Sequence, residues 1–449
     1  MEMQRLNTGM MERYEIENRR PARVNAVQFG MGEALLGALD RLLDDLNAAL
    51  PAEHRLGIAC AAAEADEAGY AEKLSGQDGM YTIVIRGYEG EAPVYREQVV
   101  QCILSARAPG EMDALAADAG LLLGIVDDTD GARALAARFA RLRREAGLQE
   151  IPMLCLGGAP EGVVACRALA DSLAFRAEPD EAAKLCTDMN YLDDMLYIAE
   201  PCARLTLCGV PDDLRARIAP RDVPGVRFTD AKGMDEALRL KAQVFDAGIF
   251  LMAAAGWLNG CDTLCDCMKH ERLRRFVGDG FMREIIPALA DVDRQAVERC
   301  VIESFERYEN PLNRNRILRA AGDLIGRFAA GALPTVYRID DERFEPPRHL
   351  SFALAATVML YAGARKNPEN GVYEVARGKR LEAIHDDPGI LARFSTLSHD
   401  MDPESLAYAA LADRELWGCD LREIDGLQAR VTLDIAAMQR DPGFLPEDE

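Results

Sequence analysis

Residues 24–32 read VNAVQFGMG, a short apolar run that ends in Gly-x-Gly at Gly30 and Gly32. Leucines follow at positions 35, 36, 39, 42, 43 and 46, the spacing of an amphipathic helix. A strand that turns through glycine into a helix presents backbone amides and a positive helix end to a phosphate. The stretch therefore predicts a turn that binds a dinucleotide pyrophosphate through residues Gln28, Phe29, Gly30, Met31 and Gly32.

The pattern that starts at this turn continues over residues 24–232. Short apolar runs alternate there with helical patterns, which is typical of an α/β domain with a mostly parallel sheet. The predicted strands are residues 24–29, 56–61, 81–86, 121–126, 152–156, 204–208 and 226–228. We therefore predict a Rossmann-like domain over 24–232, preceded by an N-terminal tail over 1–23.

Strand signals stop after this domain, and long helical patterns run over residues 233–440. The predicted helices are residues 234–257, 262–277, 279–289, 294–307, 312–328, 348–363 and 404–416. Residues 364–403 are rich in loop signals, and residues 441–449 form an acidic tail that we expect to be disordered. The fold class predicted is thus α/β, with a mostly parallel sheet domain followed by an all-helical domain.

The amino-acid composition and net charge limit the kinds of partner that this protein can bind. The formal net charge of −23 argues against nucleic acid and against an anionic membrane surface, since both require a basic face. The sequence shows neither a run of apolar residues long enough to span a membrane nor a signal-peptide pattern, so we expect a cytoplasmic protein. Twelve cysteines scattered among apolar runs are expected to be reduced and buried. Only seven of the 52 basic residues are lysine, so a lysine at a special position is informative.

Four residue types that bind zinc occur close together, at Cys261, Cys265, Cys267 and His270. On a helix, at about 100° per residue, their side chains point to about 0°, 40°, 240° and 180° and do not converge on one ion. The alternative, small residues packed on an ordinary helix, is the one we favour. We therefore predict no metal site.

Eight stretches, in order and at the right spacing, resemble the polyol and sugar-acid long-chain dehydrogenases of the mannitol dehydrogenase family, and most closely its tagaturonate reductase branch. They are VQFGMG at 27–32, SGQDGMYTIVIRG at 75–87, AEPCARLTL at 199–207, VRFTD at 226–230, EIIPAL at 284–289, FERYENP at 305–311, GRFAAGALPTVY at 326–337 and HLSFALAATVMLYAG at 349–363.

The resemblance implies an NAD-binding first domain, a helical second domain and a substrate cleft between them. It also implies hydride transfer between a nicotinamide and a carbonyl of a sugar acid or polyol. In the family, the second domain opens with an acid/base lysine, followed by asparagine five residues on and histidine eight residues on. The matching positions here are Lys241, Asp246 and Ile249. Lys241 and Asp246 are therefore the candidate catalytic residues, and both of the family's helper side chains are replaced.

A second departure lies in the loop after the strand at 121–126. The family carries a polar loop of the Ser-Asn-Thr-Thr-Glu type, whereas this chain reads Asp-Asp-Thr-Asp over 127–130. Asp127 and Thr129 are the candidate cofactor contacts from this loop, and its three carboxylates would repel a pyrophosphate. Glu64, after the second strand, is the candidate for the adenosine ribose.

These departures leave two hypotheses. Loss of one donor aimed at a developing oxyanion costs about 10²–10³ in rate, and a carboxylate at position 246 would also favour the charged form of Lys241. The first hypothesis is an NAD-dependent oxidoreductase with impaired catalysis on a small sugar acid or polyol. The second is a catalytically inactive homologue that acts as a ligand sensor or protein-interaction scaffold. The exact substrate, NAD against NADP and the oligomeric state stay open.

Overall fold

A computed structural model describes residues 3–90, 92–219, 221–312, 316–343 and 345–446. The chain divides into two compact units, Met1–Asp235 and Glu236–Glu449. In the described part of the chain, no helix is both long and apolar enough to cross a membrane. All twelve cysteines are free thiols.

In the part of the first unit that the structure describes, the chain forms twelve strands. They are β1 (Ala26–Phe29), β2 (Ile58–Ala61), β3 (Tyr81–Glu89), β4 (Ala92–Val100), β5 (Ile103–Arg107), β6 (Leu123–Val126), β7 (Pro152–Cys155), β8 (Val164–Asp171), β9 (Ala174–Arg176), β10 (Tyr197–Ala199), β11 (Arg204–Cys208) and β12 (Val226–Thr229). Eight form one sheet in the order β12-β11-β8-β7-β6-β1-β2-β5. Only the β8–β11 pair is antiparallel, so the predicted mostly parallel sheet is confirmed.

The helices of the first unit are α1 (Asp40–Ala48), α2 (Ala68–Ser75), α3 (Asp130–Glu145), α4 (Pro179–Met189), α5 (Asp212–Ile218) and α6 (Ala231–Leu240), which contains the boundary between the units. Helices α1, α2, α3 and α5 place side chains in the core clusters of this sheet. A π-helical turn, Ala34–Leu39, leads into α1. All six leucines of the predicted stripe are buried in one core cluster, which confirms the amphipathic pattern. Val27 and Phe29 face a second cluster, where the Phe29 ring meets that of Phe139.

The order of strands places two loops side by side. Strand β1 lies between β2 and β6, with Phe29 opposite Ala61 on one side and Val126 on the other. The chain therefore leaves β1 in one direction along the sheet and returns to its other side with β6. Open α/β sheets bind ligands at such a switch point, beyond the carboxyl ends of the strands. The glycine turn after β1 and the acidic loop after β6 meet there.

A second sheet, in the order β4-β3-β10-β9, completes the unit. The strand predicted at 81–86 is present, but it belongs to this sheet. The segment predicted as an N-terminal tail packs nearby, because Leu6 and Met10 are buried and the Leu6 amide donates to the Leu192 carbonyl at 2.8 Å.

The second unit is helical, as predicted. Its helices are α7 (Ala247–Leu258), α8 (Leu264–Lys269), α9 (Glu271–Gly280), α10 (Ile286–Ala288), α11 (Arg294–Tyr308), α12 (Ile317–Ala320), α13 (Leu324–Arg327), α14 (Leu333–Arg343), α15 (Arg348–Ala362), α16 (Pro388–Phe394), α17 (Pro403–Leu411), α18 (Arg414–Trp417) and α19 (Leu427–Arg440). Among the described residues of this unit, π-helical turns lie at Lys241–Asp246, Phe281–Ile285 and Phe328–Ala332. Helix α7 is central, with residues 247–257 buried.

One small sheet departs from the predicted all-helical pattern. Strands β13 (Arg365–Lys366), β14 (Tyr373–Arg377) and β15 (Arg380–Ala383) form an antiparallel sheet inside the stretch predicted as loop-rich. Tyr373 and Val375 alternate with more exposed residues, a period-2 pattern too short to stand out among the surrounding turn signals.

The acidic tail also differs from the prediction. Leu445 is buried, and the Phe444 ring lies 6.0 Å from that of Phe352. The expected disorder is therefore wrong for residues 441–446, because two apolar side chains anchor them; residues 447–449 lie outside the described residues.

Candidate functional site

Lys241 and Asp246 lie at the two ends of a π-helical turn. Five residues of an α-helix span about 500°, which places such a pair about 140° apart. The wider π-turn, with its i to i+5 hydrogen bonds, brings them onto one face. The Lys241 Nζ is 2.5 Å from Asp246 Oδ2, and the lysine side chain stays 30% exposed against 10% for the aspartate. The structure thus joins the two candidate catalytic residues in an ion pair.

Arg327 completes this cluster from the end of α13. Its Nη1 donates to Asp246 Oδ1, so one carboxylate is held by two cations, Lys241 and Arg327. Gly331 lies in the π-turn Phe328–Ala332 and allows that turn to pack closely against the Lys241–Asp246 turn. A Cβ at Gly331 would collide with the Ala242 carbonyl oxygen. Arg327 was not predicted from the sequence, although it lies in the GRFAAGALPTVY stretch, because nothing in the pattern says which residue of that stretch contacts Asp246.

Tyr308, from the FERYENP stretch, supports the same turn from another side. Its hydroxyl donates to the Phe245 carbonyl oxygen at 2.6 Å, and the two rings stack at 5.3 Å. A π-turn interrupts the regular α-helical hydrogen bonding, and here an outside donor supports a carbonyl within it. Two of the stretches that carry the family resemblance therefore hold the Lys241 turn in shape.

Ile249 occupies the position of the family's histidine. It is fully buried in α7, within the apolar core of the second unit. This position supplies packing and no hydrogen-bond donor. The lysine is accordingly surrounded by a carboxylate and a guanidinium, with neither of the family's neutral donors.

In the first unit, the glycine turn after β1 has the backbone expected of a phosphate-binding turn. Gly30 has φ +108°, a conformation that favours glycine. The amides that follow are already engaged: Met31 donates to Glu67 Oε1 at 2.8 Å and Gly32 donates to Asp127 Oδ2 at 3.2 Å. Two side chains of the protein therefore occupy donors that a pyrophosphate would use.

The remaining residues predicted at this turn are buried or serve as caps. Gln28, Phe29 and Met31 have buried side chains, and the Gln28 amide donates to the Gly30 carbonyl oxygen of the turn at 3.4 Å. Thr129 caps α3 by accepting from the Ala132 amide, and Glu64 accepts from the Gly131 amide at 3.1 Å. Glu67, which the sequence analysis missed, forms a capping box with Glu64, and the spacing Glu-x-x-Glu could have indicated it.

Burial raises the pKa values of two acids near the turn. It raises the pKa of Asp127 to about 6, and the neighbouring Glu67 carboxylate acts in the same direction. Burial also raises the pKa of Asp40 to about 8, against a hydrogen bond from Gln28 that lowers it. The backbone of this turn fits a pyrophosphate, whereas its side chains present negative charge and must leave the amides before one can bind.

The Cys261–His270 segment serves local structure. Cys265 donates to the Glu309 carbonyl oxygen at 3.3 Å, and His270 Nδ1 accepts from the Leu273 amide as the cap of α9. Among the described residues, no group of three His, Cys, Asp or Glu side chains is placed to hold a metal ion.

Comparison with known proteins finds relatives of this chain. Residues 239–439, which include the Lys241 cluster, match the family described as the mannitol dehydrogenase C-terminal domain. An altronate oxidoreductase from Yersinia pestis is 25% identical over 468 residues, covering 90% of this chain and 92% of that protein. One from Halalkalibacterium halodurans is 27% identical over 264 residues, covering 57% of this chain and 50% of that protein.

A solved structure shows the same fold. The Pseudomonas fluorescens mannitol 2-dehydrogenase, in a ternary complex with NAD and D-mannitol, superimposes with a TM-score of 0.76 at 15% identity, covering 98% of this chain and 97% of that chain. A D-sorbitol dehydrogenase superimposes with a TM-score of 0.65 at 14% identity. Residues 239–439 therefore match the mannitol dehydrogenase C-terminal domain family, relatives that span the chain are altronate oxidoreductases, and the chain has the fold of a mannitol 2-dehydrogenase.

Proposed function

We propose that this protein is an NAD-linked oxidoreductase that interconverts a hydroxyl and a carbonyl group of a sugar acid or polyol, with slow turnover. The observation that carries the proposal is the partly exposed Lys241 side chain, whose ammonium group is held on the π-turn by Asp246. The altronate oxidoreductase from Yersinia pestis, with which this chain aligns over nine-tenths of its length, supports the substrate class.

Lys241 supplies the proton in this proposal. When a carbonyl carbon receives hydride, its oxygen gains negative charge and takes a proton from the Lys241 Nζ; in the reverse direction the neutral amine removes the hydroxyl proton. The reaction is thus the addition or removal of one hydride and one proton. A cation beside the forming alkoxide lowers the barrier, because preformed charge needs no reorganisation.

Asp246 makes this step slow. Its carboxylate occupies one of the three hydrogens of the Lys241 ammonium, and its negative charge opposes the developing alkoxide. Arg327 fixes that carboxylate in place. The family's neutral donors would stabilise the oxyanion, whereas Asp246 does the opposite.

Turnover measurements test the proposal. NADH oxidation with the keto forms, and NAD reduction with altronate and D-mannitol, are followed at high protein concentration for the wild type and for Lys241→Ala. We expect slow turnover that Lys241→Ala abolishes, while the exposed lysine variant Lys269→Ala keeps it. Activity that survives Lys241→Ala contradicts the proposed role.

A second candidate function is a binding protein without catalysis. Two observations favour it: the carboxylate at position 246 and the engaged amides of the glycine turn. Absence of turnover in the wild type, together with saturable binding of altronate or D-mannitol by calorimetry, would select this candidate.

A further inference from the structure

We propose that Asp127 and Glu67 close the glycine turn to pyrophosphate and thereby set the affinity of this protein for a dinucleotide. The inference rests on the proposed function only for the choice of ligand. It concerns two residues of the first unit that are independent of the Lys241 cluster.

The two carboxylates imitate the oxygens of a phosphate. Glu67 accepts from the Met31 amide at 2.8 Å, and Asp127 accepts from the Gly32 amide at 3.2 Å. Backbone amides at the start of a helix are the donors that a bound anion uses. Each amide has a single hydrogen, so a pyrophosphate oxygen and a carboxylate oxygen compete directly for it.

Both carboxylates are fixed rather than resting loosely on the turn. The other Glu67 oxygen accepts from the Ala63 amide at 2.7 Å and the Glu64 amide at 3.2 Å. The other Asp127 oxygen accepts from the Asp128 amide at 2.9 Å. Both residues are buried. To free the turn, each side chain must give up bonds at both of its oxygens.

Asp127 also fills the space above the glycines. A Cβ at Gly30 would lie 2.6 Å from Asp127 Cβ, and one at Gly32 would lie 2.5 Å from Asp127 Oδ2. Glycines in a phosphate-binding turn leave room for the ligand to approach the backbone. Here the missing side chains make room for a side chain of the protein itself.

The negative charges near the turn also disfavour the binding of a pyrophosphate. Asp128 and Asp130 follow Asp127, and Arg133 pairs with both of them, at 2.7 Å and 2.6 Å. The Arg133 guanidinium is therefore already neutralised by two carboxylates. A pyrophosphate would bring two further negative charges to a buried acid pair, which raises the cost of binding.

Binding of two nucleotide fragments separates this effect from general changes in the site. ADP-ribose carries the pyrophosphate, whereas adenosine lacks it. Both are titrated by calorimetry into the wild type, Asp127→Asn, Asp127→Ser and the double variant Asp127→Asn/Glu67→Gln. Asparagine and glutamine keep an acceptor for each amide and remove only the charge, and serine also vacates the space above the glycines.

We expect weak ADP-ribose binding in the wild type and an affinity about tenfold higher in Asp127→Asn, with a further gain in Asp127→Ser and in the double variant. Adenosine affinity should stay the same in all of them. Asp128→Asn is the matched control, since it removes one charge from the same loop without freeing an amide of the turn, and it should change ADP-ribose affinity much less.

Three results overturn the inference. They are tight ADP-ribose binding by the wild type that Asp127→Ser does not improve, an equal gain in Asp128→Asn, and failure of every folded variant to bind ADP-ribose. The first of these leaves the proposed function intact. Conversely, the result that contradicts the proposed function is an Asp127 variant that binds ADP-ribose and NADH and yet turns over no substrate. That result would leave this inference standing.

Discussion

Lys241 and Asp246 stand five positions apart and still form an ion pair, with 2.5 Å between Nζ and Oδ2. The π-helical turn makes this contact, and the guanidinium of Arg327 holds the other carboxylate oxygen. In this pair the Lys241 side chain stays partly exposed, and its ammonium group donates to the carboxylate of Asp246.

Restoring a neutral donor at position 246 should raise turnover. In Asp246→Asn the amide can donate to the substrate oxygen, and the negative charge beside the forming alkoxide is gone. We expect kcat/KM to rise by about 10- to 100-fold. Steady-state rates with the keto form of the best substrate measure it, and Asp246→Asn combined with Lys241→Ala should be inactive. A lower rate in Asp246→Asn would show that the carboxylate assists the reaction.

Removing Arg327 should destabilise the second unit. In Arg327→Gln, the mostly buried Asp246 loses one of its two cationic partners, and we expect a cost of about 2 kcal/mol in the free energy of unfolding. Urea unfolding measures the cost. The control is Arg294→Gln, which breaks the exposed pair with Glu298 and should leave the midpoint unchanged. Equal urea midpoints for Arg327→Gln and wild type would show that the Arg327–Asp246 pair does not stabilise the second unit.

Adding a methyl group at Gly30 should be costly. Its φ of +108° disfavours other residues, and the new Cβ would lie 2.6 Å from Asp127 Cβ. We expect Gly30→Ala to lose roughly 2–4 kcal/mol in thermal or urea unfolding. Gly69→Ala is the control: this exposed glycine of α2 has open space around it, so the substitution should stabilise by up to about 1 kcal/mol. Comparable losses in the two variants would contradict the tight packing at Gly30.

The pH dependence of stability should report on Asp40. Burial raises its pKa to about 8 in the folded state, well above the usual value of about 4 in the unfolded chain. The folded state therefore binds the extra proton between pH 4 and 8, and this contribution to stability falls as the pH rises through that window and is level above it.

Asp40→Asn should reduce this loss. Each pKa unit corresponds to about 1.4 kcal/mol, so the decrease in unfolding free energy between pH 5 and pH 8 should be smaller in the variant by roughly 3 kcal/mol. Urea unfolding of both proteins at the two pH values measures it, with Asp45→Asn as a less buried comparison. Parallel pH profiles for Asp40→Asn and the wild type would mean that Asp40 titrates near its ordinary value.

The strand and helix patterns predicted the class of fold because they are local. The leucine spacing after Gly32 depends only on the geometry of one helix, and all six leucines are buried as expected. The sequence did not predict which sheet receives the strand at Tyr81, since strand pairing depends on contacts far along the chain. It missed the small sheet around Tyr373 because each strand has only two to five residues.

At the candidate site, sequence spacing identified Lys241 and Asp246 but could not reveal that they touch. On an ordinary helix they would diverge, and the π-turn that unites them depends on packing against Gly331 and Tyr308. The acidic loop was predicted to repel a pyrophosphate. The structure adds a second reason why this loop disfavours a pyrophosphate, namely that Asp127 accepts the hydrogen bond of the Gly32 amide. The sequence could not show this contact, because it exists only since β1 and β6 are neighbours in the sheet.

Helix α7 is enclosed by the core along residues 247–257, and Asp246 stands immediately before it with no capping bond from its side chain. Side-chain chemistry at position 246 can therefore change while the enclosing scaffold stays still. Aspartate and asparagine codons differ by a single base, so a lineage could exchange an acid for an amide at this position, and reverse the exchange, in one mutational step.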